Sequence, residues 1–194
     1  LQTLKDEIRD EILSAARDEF RSRGFSGASM QRIAGRAGLS VSNIYNYFSG
    51  KEALFSQIVD GARGSLAHLV KEIPVIVEKT GDREKNARAL GEFVPSALFN
   101  LIKTEREGLI IILERGAGTK YADIKDKLAD SLSGIIMSKA KGTGSKAFLV
   151  RVIAMNLIQG LVEIAKEYRS DPWAEENIRS LVQYHIQGMM ELSR

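Results

Sequence analysis

Residues 29–48 read SMQRIAGRAGLSVSNIYNYF, and the punctuation of this stretch decides the fold. Ser29 suits a helix N-cap, because its hydroxyl can accept from an amide of the first turn. Met30, Ile33, Ala34 and Ala37 then recur on one helical face. Gly38 breaks that helix, and Ser40 caps another whose Val41, Ile44 and Phe48 fall at i, i+3 and i+7 and turn inward together. A helix-turn-helix needs a small residue where its helices cross and one tolerant of positive φ in the turn. Ala34 and Gly38 are these two, and Ile33, Leu39, Val41 and Ile44 form the wedge that holds the angle. Ser42, Asn43, Asn46 and Tyr47 are left pointing mostly outward, with Tyr45 toward one flank. Such a helix can lie in a major groove with its N-terminal residues at base edges.

Working outward, Ile8, Ile12, Ala15, Ala16 and Phe20 mark an amphipathic helix over about Thr3 to Arg23, closed by Gly24 in the left-handed conformation with Phe25 folded back on Phe20. Downstream, Ser49-Gly50-Lys51-Glu52 fits a capping box, so a fourth helix is expected from Ser49. It continues through Leu54, Phe55, Ile58, Val59, Ala62, Leu66 and Leu69 until Pro74 ends or kinks it. Further helices are expected over 83–103 with a kink near Pro95, over 104–115 and over about 119–139. A loop over 141–146 precedes a helix from Ser145 to Tyr168. Asp171-Pro172 reads as N-cap and first helical position of a last helix to about Leu192. The Ile-Val-rich pieces 73–77 and 109–113 lack a partner strand or hairpin turn nearby, which argues against a sheet. The expectation is an all-α chain: an N-terminal three-helix helix-turn-helix domain over 1–48, then over 49–194 a connecting helix and a larger helical body.

Composition narrows the function. The 194 residues, 44% hydrophobic and 27% charged, can bury a core without covalent staples. No cysteine and only His68 and His185 leave no thiol nucleophile, thiolate metal site or histidine-rich metal site. No apolar run approaches the roughly 18 residues of a membrane span, and Leu1 to Arg17 mixes acids and bases unlike a secretory signal. A cytoplasmic protein is expected. The net charge of +3 is unevenly placed. Phe20 to Lys51 holds Arg21, Arg23, Arg32, Arg36 and Lys51 and no acid, while the rest of the chain carries 23 bases and 25 acids. An acid-free basic segment suits a polyanion such as nucleic acid; a solvated charged face reads equally well from charge alone.

Taken together, GFSGASMQRIAGRAGLSVSNIYNYFSGKEALF over 24–55 closely resembles the DNA-binding domain of the TetR family of bacterial transcriptional regulators. The resemblance lies in the Gly-Phe after helix one, the Ser-Met opening helix two, the Ala-Gly-Leu-Ser turn, the Tyr-x-Tyr-Phe end of helix three and the Lys-Glu opening helix four. It implies an all-helical homodimer that binds a palindromic operator in double-stranded DNA and is released, as a repressor, when a small molecule binds the C-terminal body. By position it implies DNA contacts from Gln31, Ser42, Asn43, Tyr45, Asn46, Tyr47 and Lys51, with Ser29 as a phosphate contact of helix two. At Tyr47 the family often has His, which changes the donor geometry there.

Two reading helices must lie about one DNA turn apart, roughly 34 to 36 Å. The last two helices carry apolar stripes suited to building that dimer, Leu149, Val152, Ile153, Gly160 and Ile164 on one and Ile178, Leu181, Val182, His185 and Met189 on the other. An intrachain core would use the same residues, and the resemblance favours the dimer. The effector site is expected among Phe99, Asn100, Glu114, Arg115, Tyr121, Met155, Asn156 and Gln159, which combine apolar surface with isolated polar groups. No phosphate loop, GxSxG or HExxH is present, so no catalytic residue, metal or cofactor is assigned. The competing reading is a DNA-bound protein whose helical body recruits a protein partner instead of sensing a small molecule; a large exposed apolar patch would favour it, an enclosed cavity the sensor.

Overall fold

The computed structural model describes residues 2–80, 82–139 and 146–192. Among these there is no strand, and the helices are α1 (Gln2–Gly27), α2 (Met30–Arg36), α3 (Val41–Tyr45), α4 (Lys51–Thr80), α5 (Arg83–Glu114), α6 (Ile124–Lys139), α7 (Ala147–Lys166) and α8 (Asp171–Leu192). The all-α expectation holds. The loop expected at 141–146 lies outside the described residues except for Lys146, as does the helix start at Ser145; α7 is described from Ala147.

The chain forms two compact units, Leu1–Arg63 with Glu107–Ala122, and Gly64–Arg106 with Asp123–Arg194. The division read from sequence lay at 48/49. The first unit extends past it because Leu54, Phe55 and Val59 of α4 and Leu109 and Ile111 of α5 are as fully buried as Ile12, Phe20, Ile33 and Ile44. At its centre three phenylalanines meet. Phe20 and Phe25 stack at 6.0 Å between ring centroids, and Phe55 meets both edge-on at 5.2 and 5.4 Å. The Phe25–Phe20 contact expected at the end of helix one is therefore formed, with Gly24 at φ 67°. The chain resumes helical turns to Gly27 beyond that break, four residues further than expected.

Both short helices start as read. The Ser29 hydroxyl accepts from the Arg32 amide and that of Ser40 from the Asn43 amide. Gly38 takes φ 65°, which lets the Leu39 amide reach back to the Ala34 carbonyl at 2.9 Å and close α2. Other boundaries differ. α4 begins at Lys51, so Gly50 and not Ser49 precedes its first turn, and the expected capping box is out of register by one residue. α4 runs through Pro74 to Thr80, a 30-residue helix in which one missing amide is tolerated. α5 likewise contains Pro95, and its break falls at Glu105 (φ −130°), joining the two segments read as separate. At the start of α8 the cap is Ser170, whose hydroxyl accepts from the Trp173 amide, and not Asp171.

In the second unit Asp171 is held elsewhere: it accepts from the Lys103 ammonium at 2.7 Å and from the Tyr168 hydroxyl. These bonds, Lys103 first, hold the Asp171 carboxyl below its ordinary value of 3.8, while the bond to Asp171 raises Tyr168. α7 is long and apolar enough to cross a membrane by length and composition, with 28% of that stretch buried. Part of its apolar surface closes on α8, where a Cβ on Gly160 would stand 2.9 Å from Leu181.

Two measurements check this account. Phe55→Ala is expected to cost about 3–5 kcal/mol in urea unfolding, the range for emptying an aromatic site in a packed core. Because the folded state depresses the Asp171 pKa, the pair stabilises above pH 3.8 and the benefit is lost as pH falls through the folded value. An acid titration of Asp171→Asn is expected to lack that part of the pH dependence.

Candidate nucleic-acid interface

The turn around Gly38 and the Ser40 cap set α3 so that Ile44 is fully buried and the opposite side faces solvent. Ser42, Tyr45 and Asn46, at i, i+3 and i+4, form one exposed stripe, with Tyr45 53% exposed. Asn43 and Tyr47 are half-buried on its flanks. The stripe offers a hydroxyl, a phenol and a carboxamide and no charge, a donor and acceptor set able to read base edges or phosphate oxygens. On α2, Gln31 is exposed, while Ser29 is half-buried and committed to its cap.

Lys51 is differently engaged. Its ammonium donates to the carbonyls of Phe25 (2.8 Å) and Ala28 (3.1 Å) and lies 4.4 Å from the centre of the Phe25 ring. It thus satisfies the carbonyls left by the break at Gly24 and ties the start of α4 to the α1–α2 connection. The acid-free window is also less basic than its composition, because the acid that matches it sits one residue outside. Glu19, with no exposed surface, lies 2.5 Å from Arg32, 3.6 Å from Arg36 and 3.8 Å from Arg23, and Arg21 pairs with Glu107 at 3.5 Å. Sequence reasoning missed Glu19. Its signal was present: Ile12, Ala15, Ala16 and Glu19 lie on one face of α1, so a carboxylate interrupts the buried stripe.

The residues expected to bind an effector divide between the units. In the first, Glu114 ends α5 and Arg115 follows it; the Arg115 carbonyl accepts from the Phe25 amide at 2.9 Å. Tyr121 stacks on Phe55 at 6.1 Å and, with Ser56, Gln57, Asp60, Arg63 and Lys120, lines a cleft of about 490 Å³. In the second, Phe99 lies under the Lys103 ammonium, Gln159 accepts from Lys125 and donates to Glu163, and Met155 is half-buried, whereas Asn100 and Asn156 are exposed.

The apolar stripes of α7 and α8 separate into two groups. Ile178, Val182 and His185 are already buried within the chain, the His185 Nδ1 lying 2.8 Å from the Leu181 carbonyl, and Gly160 serves the approach to Leu181. Leu149 is exposed, and Val152, Ile153, Ile164 and Met189 are half-buried. Phe148, 80% exposed, and Tyr184 add exposed aromatic surface that sequence analysis had not singled out. Among the described residues no group of acidic or histidine side chains is arranged to hold a metal ion.

Comparison with known proteins agrees with this geometry. Residues 12–58 match the family described as bacterial regulatory proteins, tetR family. The HTH-type transcriptional activator FasR of Mycolicibacterium smegmatis is 28% identical over 165 residues, covering 84% of this chain and 72% of that one. The transcriptional regulator RutR of Escherichia coli is 46% identical over 48 residues, covering 25% and 23%. In fold, a TetR-family transcriptional regulator from Bordetella parapertussis aligns with a TM-score of 0.59 at 18% identity, over 90% of this chain and 93% of that one. NalD of Pseudomonas aeruginosa, the secondary repressor of an efflux pump, aligns at 0.55 and 18%, over 96% and 95%. Over residues 12–58 the chain is similar to the TetR family of bacterial transcriptional regulators, and over most of its length it shares the fold of solved TetR-family structures. Its N-terminal helix-turn-helix and helical C-terminal part are those of that fold.

Lys51→Met is expected to lower stability by about 1–3 kcal/mol in urea unfolding, because two carbonyls lose a charged donor. An unchanged midpoint would remove the structural role described for this ammonium.

Proposed function

We propose that the chain is a homodimeric, sequence-specific DNA-binding regulator that reads a palindromic operator through α3. The observation that carries the reading is the uncharged exposed stripe of Ser42, Tyr45 and Asn46 on a helix held by the Gly38 turn and the Ser40 cap. Asn46 and Ser42 supply contacts to bases, while Tyr45, Tyr47 and Gln31 reach phosphates beside the groove. Ser29 and Lys51 act on the backbone from helix starts, with Lys51 keeping only the donor capacity that its two carbonyls leave over. In this reading residues 1–48, joined by Lys51 at the start of α4, carry the DNA contacts, and the rest of 49–194 serves connection, sensing and dimerisation. Action on bacterial DNA places the protein in the cytoplasm.

Dimerisation is assigned to the outward side of α7 and α8. Leu149, Val152, Ile153, Ile164 and Met189, joined by Phe148 and Tyr184, give the apolar surface, and a two-fold axis would pair it with itself. The buried Ile178, Val182 and His185, with the close Gly160–Leu181 approach, stiffen that surface from behind. Release by a small molecule bound in the C-terminal body, among Phe99, Asn100, Met155, Asn156 and Gln159, completes the repressor reading. A second reading, activation, is favoured by the relative matched over most of the chain, whose name is that of an activator. Recruitment of a protein partner would use the same exposed patch that the dimer covers.

The test is fluorescence anisotropy of the purified chain on DNA flanking its own gene, titrated with nonspecific competitor. Binding that survives competitor is expected, with Asn46→Ala changing base preference at one operator position by about 1–3 kcal/mol. Equal affinity for random duplex would count against sequence-specific reading. For the dimer, Leu149→Asp with Ile153→Asp is expected to sediment as a monomer and to lose operator binding while keeping its helical content.

A further inference from the structure

The Glu19 cluster holds more positive charge than a structural ion pair requires. One fully buried carboxylate faces three guanidinium groups, from Arg23 on α1 and from Arg32 and Arg36 one turn apart on α2. All three approach through Nε, at 3.8, 2.5 and 3.6 Å, and their side chains stay 54%, 43% and 49% exposed. A carboxylate cancels one of three charges, so a surplus of two is concentrated at the surface of the helix-turn-helix unit. Three like charges gathered on one anion repel unless a further anion meets them. Glu19 Oε2 is itself buried without a hydrogen bond, so the cluster is not arranged to give Glu19 the most bonds. The Arg32 guanidinium also donates to the Gly27 carbonyl and is fixed twice. A guanidinium carries five donors in a rigid fork. With Nε turned inward on Arg23 and Arg36, their terminal nitrogens remain for an anion arriving from solvent.

We propose that Arg23, Arg32 and Arg36 form a binding site for the DNA phosphodiester backbone, and that Glu19 is the positioning residue that holds them in place from beneath. The inference rests on the DNA-binding reading above and adds to it a backbone site apart from the base-reading stripe of α3. Guanidinium forks match phosphate oxygens in a way that a lone ammonium does not. Contacts of this kind carry no sequence information; they set affinity, orientation and salt dependence. Glu19 contributes by holding the guanidiniums in place through its ion pairs and not by attracting the ligand, which its own charge opposes.

That opposition makes the test decisive in sign. The full chain, with Arg23→Gln, Arg36→Gln, the double variant and Glu19→Gln, is titrated by anisotropy on a labelled duplex of scrambled sequence between about 50 and 200 mM salt. Each arginine variant is expected to reduce the slope of log K against log salt by about 0.9, and the double variant by about 1.8. Glu19→Gln raises the net charge by one, yet is expected to bind more weakly because the guanidiniums lose their anchor. Tighter binding by Glu19→Gln would overturn the positioning role. Should Glu19→Gln melt below the assay temperature, the arginine variants decide, with thermal melts showing them folded. A double variant with the parental slope overturns the backbone site. The DNA-binding reading fails separately, if the parental chain binds no duplex or shows no preference among sequences, and only the first of those outcomes also removes the backbone site.

Discussion

A carboxylate with no exposed surface is tolerable only when cations come to it, and in this chain Glu19 draws two turns of α2 against α1. Arg32 and Arg36 fasten α2 from one side, while Ile33 and Ala34 are buried on another. Once α2 is fixed, the Gly38 turn leaves α3 little freedom, because the Leu39 amide is bound to Ala34 and the Ser40 cap follows at once. The direction in which Ser42, Tyr45 and Asn46 face thus traces back to one acidic residue on the buried side of α1.

The same unit is closed by aromatic contacts and a few backbone bonds. Phe55 touches Phe20, Phe25 and Tyr121, so a single ring from α4 meets α1 on both sides of its Gly24 break and the turn after α5. That turn is held by its backbone: the Phe25 amide binds the Arg115 carbonyl, and the Ser26 hydroxyl binds the Ala117 carbonyl at 2.7 Å. Lys51 closes the remaining carbonyls. Polar groups freed by the break at Gly24 are therefore satisfied by residues distant in sequence, an arrangement that backbone accounting demands but cannot locate in advance.

Local chemistry was legible in the sequence and distant chemistry was not. Ser29, Ser40 and Gly38 announce caps and a turn through their own side chains or the lack of one, and the structure places all three as read. The family motif over 24–55 carried the fold further than periodicity could. Pro74 does not end its helix, because the cost of a missing amide depends on the packing around a long helix. The charge window overstated the basic surface because composition counts residues along the chain, whereas Glu19 and Glu107 offset part of it through space. On α7 and α8 one apolar pattern serves two surfaces: Ile178 and Val182 face the chain's own interior and Leu149 faces outward, and periodicity reports both alike.

The central claim is that α3 is oriented to read bases. Selection of bound duplexes from a pool of random sequence by the purified chain, followed by sequencing, tests it most directly. The account predicts an enriched inverted repeat whose half-sites lie about one helical turn apart. A pool that is retained but shows no enriched sequence would contradict it, leaving a protein that holds the DNA backbone without reading it.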